Sequence, residues 1–335
     1  MDSKIFCVLR SIGLPGLMSR EDSVKSSPEY LQIAKINKIP LFYLESLSDT
    51  ERNQFKSQYD AFRMRHEKVV RSIAYVSEVF EKSHVNYSFF KTIKPFSYLP
   101  SDVDVLINSA GDFSRALRAL TKVGFVKMAE DSFSTTMKNL ERDSFLLDVD
   151  LQLAPSVANI PYINTAMLFD HVIEKRNGNA LIKTLDANAD IIVAASHSFY
   201  KEHMFTLSDY YTIALLSSNV SPSDLFDLSL RTKTTLSVFT TFTLVNQITK
   251  VAFGRKLENV ENIIKKIGEP LTANCYLQKS IDVPFKFSQI WSFLALMNKV
   301  IEDPLPRSSI LKAFYNSMST DQLDKLLKHF IRETY

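Results

Sequence analysis

Two apolar runs in this chain each carry aspartates two residues apart. They are Ser101-Asp102-Val103-Asp104-Val105-Leu106-Ile107 and Phe145-Leu146-Leu147-Asp148-Val149-Asp150-Leu151-Gln152-Leu153. Such valine- and leucine-rich alternation reads as strand. A strand changes face at every residue, so Asp102 and Asp104 share one face of their strand, as Asp148 and Asp150 do of theirs, while Val103 and Val149 turn toward a core. If the two strands are neighbours, up to four carboxylates converge on one patch. Like charges that close are unfavourable unless a cation sits among them. Carboxylate oxygens suit Mg²⁺, which keeps coordination positions for water and phosphate.

Composition narrows the alternatives. At 335 residues the chain is long enough for two or three modules. A hydrophobic content of 45% with 23% charged residues is that of a soluble globular protein, and a net charge of +3 does not by itself argue for nucleic acid. The two cysteines, Cys7 and Cys275, lie far apart and form no metal-ligand spacing, as expected of free thiols in a cytoplasmic protein. No run reaches the ~18 apolar residues of a membrane span, and Met1 to Arg10 is too short in its apolar part for a signal peptide. Glycine occurs only seven times, and no set of these makes GxGxxG or a Walker A loop, which disfavours dinucleotide folds and P-loop NTPases.

Three segments follow from the patterning. Residues 1–55 read as short helices broken by Pro15, Pro28 and Pro40. Residues 56–155 read as a small mixed sheet with helices. A long helix from Ser48 or Asp49 to about Ser83 carries Tyr59, Phe62, His66, Val69, Ile73, Val76 and Phe80 on one face. Arg63, Glu67, Lys68, Arg71 and Glu78 form its opposite, solvated face. Next come a strand from Val85 to Phe90, a loop from Lys91 to Ser101 and the strand with Asp102 and Asp104. A helix then starts at Gly111 and Asp112 and ends before Gly124. Phe125 to Met128 is extended, and Ser132–Lys138 with Ser144–Leu153 reads as a hairpin turning over Asn139–Asp143. Residues 156–335 read as an all-helical module, with helices over 188–203, 207–217, from 222, over 258–267, 287–300 and 320–334. The threonine-rich stretch 237–253 fits helix or strand.

Taken in order, a strand, a loop, Asp-x-Asp on a strand, a helix and a later strand with a third Asp resemble the nucleotidyltransferase superfamily, whose core is a polymerase-β-type palm. More narrowly, the chain resembles the uncharacterised nucleotidyltransferase family with a helical C-terminal module. There a segment like Val85-Asn86-Tyr87-Ser88-Phe89-Phe90-Lys91 leads to an Asp-Ile-Asp-type strand. Val149-Asp150-Leu151-Gln152 matches its V-D-L-H-like strand. Ala194-Ala195-Ser196-His197 with Thr206-Leu207-Ser208-Asp209 resembles its later helical segment.

The resemblance implies an α+β fold and a two-metal transfer of a nucleoside monophosphate from an NTP, such as ATP, to an acceptor hydroxyl. Asp102, Asp104 and Asp150 are then the catalytic carboxylates and the ligands of Mg²⁺ or Mn²⁺, with Asp148 the alternative third ligand. The superfamily carries Gly-Gly or Gly-Ser before its aspartates, whereas this chain has Lys91-Thr92-Ile93. Lys91 and Lys94 are candidate phosphate contacts through charge, and Thr92 and Ser101 through hydroxyls. The glycine-free loop also motivates a second reading, a catalytically inactive module for nucleotide sensing or partner binding. The acceptor is open between an RNA or tRNA end, a protein and a small molecule; Arg63, Arg65, Lys68 and Arg71 lean toward RNA, and an antitoxin-like partner protein is among the expected associations. His197, on an apolar helix, reads as a structural histidine, and Asp209 equally as helix cap or site residue.

Overall fold

The computed structural model describes residues 4–15, 26–140, 145–178, 180–277 and 282–303. The helix expected over 320–334 and residues 141–143 of the expected turn lie outside the described residues. Among the described residues no helix is long and apolar enough to cross a membrane.

The strands are β1 (Tyr87–Phe89), β2 (Asp102–Ile107), β3 (Phe125–Glu130), β4 (Ser134–Asn139), β5 (Asp148–Gln152), a small ladder of β6 (Ser156–Val157) with β7 (Ile160–Pro161), then β8 (Val172–Asn177) and β9 (Ala180–Leu185), and a second small ladder of β10 (Met204–Phe205) with β11 (Phe285–Lys286). Seven of them form one mixed sheet in the order β3-β4-β5-β2-β1-β9-β8. β2 runs parallel to β5, and β1 parallel to β9. The strands bearing Asp102 and Asp150 are therefore neighbours, as the alternation implies.

The helices are α1 (Lys4–Ile12), α2 (Pro28–Ile36), α3 (Pro40–Ser46), α4 (Asp49–Asn53), α5 (Lys56–Lys82), α6 (Ala110–Lys122), α7 (Thr165–Phe169), α8 (Ala187–Ser196), α9 (Leu207–Leu216), α10 (Pro222–Arg231), α11 (Thr235–Phe253), α12 (Glu258–Ile267) and α13 (Gln289–Glu302). One face of the sheet packs on α5 and α6. Val103, Val105, Ile107, Val149 and Leu151 meet Val69, Ile73, Val76 and Phe80 of α5 and Ala116 and Leu120 of α6. The opposite face, which carries the aspartates, presents Phe90, Leu106 and Leu185 to a second core built from α1, α2 and α3 together with α8, α9 and α11.

Two expectations are corrected. Residues 156–335 are not all-helical, because β8 and β9 extend the central sheet beyond β1. β8 exposes most of its charged side chains to solvent, so its sequence lacks the apolar alternation of a half-buried strand. The long helix breaks at Gln54 and Phe55, where Phe55 turns into the core. α4 is a separate turn closed by a capping box between Ser48 and Glu51.

The threonine-rich stretch resolves as α11, which ends on Gly254 in the left-handed region at φ 75°. Its threonines bond back along the helix: Thr240 Oγ1 donates to Leu236 O at 2.8 Å and Thr249 Oγ1 to Val245 O at 2.7 Å. These bonds satisfy the hydroxyls inside an otherwise apolar layer. At α6, Ser109 is the N-cap, its Oγ accepting from Asp112 N at 3.1 Å. Ser109→Ala is expected to cost about 1 kcal/mol, read as a lower urea midpoint at unchanged slope.

Candidate functional site

Register determines what β2 and β5 bring together. Asp104 pairs with Asp150 and Asp102 with Asp148, all on the face away from α5 and α6. Lys91 Nζ lies 2.6 Å from Asp104 Oδ1, with both side chains nearly withdrawn from solvent. Gln152 Nε2 donates to Asp104 Oδ1 at 3.0 Å and to Asp150 Oδ2 at 2.5 Å, so those two oxygens are at most about 5.5 Å apart. Thr136 Oγ1 donates to Asp150 Oδ1 at 3.3 Å, and Ser101 Oγ to Asp102 Oδ1 at 3.0 Å. The carboxylates are thus reconciled by a lysine, an amide and two hydroxyls. Burial pushes Asp104 up to about 6 against the pull of Lys91, and burial also raises Asp150.

Above this patch opens a cleft of about 210 Å³. Asp102, Asp104 and Asp150 line one wall; Asp148 does not. Of the loop residues expected at the site, Lys91, Lys94 and Ser101 reach the cleft. Thr92 does not: it is buried, and its Oγ1 accepts from Asp104 N at 2.8 Å, fastening the loop to β2. The loop is fastened from the other side as well. An Arg65 guanidinium nitrogen donates to Pro100 O at 3.0 Å, and His66 Nδ1 lies 3.1 Å from Tyr98 O. Part of the basic side of α5 therefore clamps the loop.

The facing wall comes from α8, α9 and the segment between them. α8 continues into a π-turn, His197–Lys201, a widened helical turn that occurs frequently at functional sites. It aims His197 and Lys201 into the cleft, with Glu202 beside them. His197 Nε2 is 3.2 Å from Glu202 Oε1, and Nδ1 is 3.1 Å from Tyr162 OH. Burial, helped by Lys91, lowers His197 to about 3. The ring is therefore neutral, and the assignment that satisfies all three groups has Nε2–H donating to Glu202 and Nδ1 accepting from Tyr162. Both nitrogens are engaged, which fits the structural role expected of His197. The His197 bond holds Glu202 well below the usual carboxylate range, and Lys38 pairs with Glu202 at 3.4 Å. Burial lowers Lys201, with Lys91 adding to the effect.

No family model and no curated protein matches the chain. The chemistry of the cleft therefore rests on its own residues. Deeper in, Lys94 Nζ donates to Thr212 Oγ1 at 3.1 Å and lies 4.8 Å from the centre of the Tyr98 ring. Burial lowers this lysine and raises Asp190, across from it, to about 8. Asp209 caps α9, its Oδ2 accepting from Thr206 N and Oγ1 at 2.9 and 2.8 Å, while also lining the cleft.

Among the described residues no group of three or more His, Cys, Asp and Glu side chains is gathered as a ready metal cage. The oxygens of Asp104 and Asp150 do converge, and Asp102 shares their wall. This donor set suits a hard divalent cation once the Lys91 ammonium leaves Asp104. Sequence reasoning missed Lys38, Gln152, Asp190, Lys201 and Glu202. Gln152 carries a usable signal, since two residues beyond Asp150 it must share its face. The others come from helices and turns whose approach to the sheet has no local signature.

Proposed function

We propose that the chain is a nucleotidyltransferase that moves a nucleoside monophosphate from an NTP to an acceptor hydroxyl. The observation that carries this reading is the register pairing of Asp104 with Asp150 on parallel neighbours, at the wall of a cleft that also receives Lys38, Lys91, Lys94 and Lys201. Asp102, Asp104 and Asp150 would hold Mg²⁺ or Mn²⁺. Such ions, when bound, neutralise triphosphate charge and stabilise the attacking and leaving oxygens. The lysines supply positive charge for the phosphate oxygens, with Lys201 reaching over from the facing wall. Asp150 would take the proton of the acceptor hydroxyl, and Gln152 keeps its carboxylate turned toward Asp104. Positioning and charge compensation account for most of the rate in such transfers.

The test is incubation with each labelled NTP, Mg²⁺ or Mn²⁺, and cell extract as the source of acceptor. Label transfer that disappears in the Asp102→Asn/Asp104→Asn double variant is the expected result. Absence of transfer under every condition, or equal transfer by the variant, overturns the reading. The Lys91–Asp104 ion pair and the glycine-free loop favour a second reading, a non-catalytic nucleotide-sensing module. Calorimetry separates the two, since metal-dependent NTP binding without pyrophosphate release supports the sensor.

A further inference from the structure

Lys91 is held in an unusual way. Its backbone lies in the left-handed region at φ 59°, where a side chain costs on the order of 1 kcal/mol and glycine is the ordinary occupant. The turn around it is tight: Thr92 N donates to Phe90 O at 2.6 Å. Both flanking residues are fixed to Asp104, because Phe90 N donates to Asp104 O at 3.3 Å and Thr92 Oγ1 accepts from Asp104 N at 2.8 Å. The side chain crosses the Phe90 ring, with Nζ 4.6 Å from its centre, and ends on Asp104 Oδ1. With side-chain exposures of only 13% and 12%, the pair is little screened by water. Backbone and side chain together aim one ammonium at one carboxylate.

We propose that Lys91 is a tethered cation that keeps Asp104 from a free divalent metal and yields it only when metal and triphosphate arrive together. The proposal rests on the nucleotidyl-transfer reading above. A metal ion that takes the carboxylates of Asp102, Asp104 and Asp150 leaves the Lys91 ammonium without its carboxylate partner, and a buried ammonium left unpaired is costly. A triphosphate supplies the alternative anion. Lys91 would then pair with phosphate while the metal takes the vacated carboxylate oxygen, so neither the ammonium nor Asp104 is left without a partner of opposite charge. No covalent bond changes in this exchange. The reciprocal requirement follows from linkage: whatever factor the triphosphate adds to metal affinity, the metal adds to triphosphate affinity.

The test is Mn²⁺ binding to the full chain, followed by electron paramagnetic resonance of the free ion. It is run with and without a non-hydrolysable NTP analogue, on wild type, Lys91→Met and Lys91→Gly. Lys91→Met keeps the stem without the charge. Lys91→Gly suits the backbone, so one variant preserves packing and the other the turn, and thermal melts verify that each is folded. Wild type is expected to bind Mn²⁺ at least tenfold more tightly with the analogue than without it. Each variant is expected to bind Mn²⁺ alone at least tenfold more tightly than wild type does. Equal affinity of wild type and both variants for Mn²⁺ alone, with the analogue still recruiting metal, overturns the tethered-cation proposal and leaves the transfer reading standing. Failure of all three proteins to bind Mn²⁺ even with the analogue overturns the transfer reading, and this proposal with it.

Discussion

Asp104→Asn is expected to lower nucleotidyl transfer by about 10²–10³-fold, the scale seen when a single electrostatic element of a transition-state site is removed. Asn keeps the shape and one acceptor oxygen for Gln152 and Lys91 but removes the charge that pairs with the lysine and that would hold the metal. Asp150→Asn is expected to lose a comparable factor. Asp148→Asn, in register with Asp102 but outside the cleft, is expected to stay within about threefold of wild type on the same physical grounds. Initial rates at saturating NTP, measured on samples of equal folded fraction by near-ultraviolet circular dichroism, check all three. A full rate in Asp104→Asn, or a loss confined to Asp148→Asn, would move the site off the Asp104–Asp150 pair.

Asp190 is expected to make stability fall as pH rises from about 4 to about 8, against the opposite contribution of His197 below about 6.5. In the folded chain burial holds this carboxyl up to about 8, against an ordinary value of 3.8. Between those values the native state keeps a proton that the unfolded state has lost, so stability declines as pH rises. Asp104, raised to about 6, acts in the same direction over a narrower window. Asp190→Asn removes the larger contribution. Relative to wild type, the variant is expected to gain on the order of 5 kcal/mol between pH 4 and pH 8. Urea denaturation of both proteins at pH 4.5, 6 and 8 measures it, and stability curves that stay parallel across this range exclude Asp190 as the cause.

The core of the site was legible because strands have a simple period. Alternation placed Asp102 with Asp104 and Asp148 with Asp150, and it named the valines and leucines that pack on α5 and α6. The choice between Asp148 and Asp150 was less accessible, since both share a face and only the position of the cleft separates them. The β8–β9 hairpin was missed although Gly178-Asn179, the pair of residues between Asn177 and Ala180, is a hairpin turn signal. Gly178 has φ 60°, but the charged run Glu174-Lys175-Arg176 hides the strand before it. The conformation of Lys91 has no sequence signature at all. Its positive φ follows from the turn fixed at Asp104 on both sides, a tertiary arrangement rather than a local preference.

The place of β9 in the sheet limits how the cleft can move. β9 pairs in parallel with β1, Phe89 opposite Thr184, and α8 begins only two residues after β9 ends. The wall carrying His197 is thus spliced into the same sheet that carries the aspartates, through Asp186, whose side chain accepts from Ala189 N at 2.9 Å at the start of α8. Jaw-like closing of one lobe on another would have to shear this parallel pairing. The gap between the carboxylates and the π-turn therefore has a preset width, and adjustment to a ligand falls to side chains. A molecule built this way selects by calibre: it admits what fits the spacing, where a hinged enzyme would fold around what it has caught.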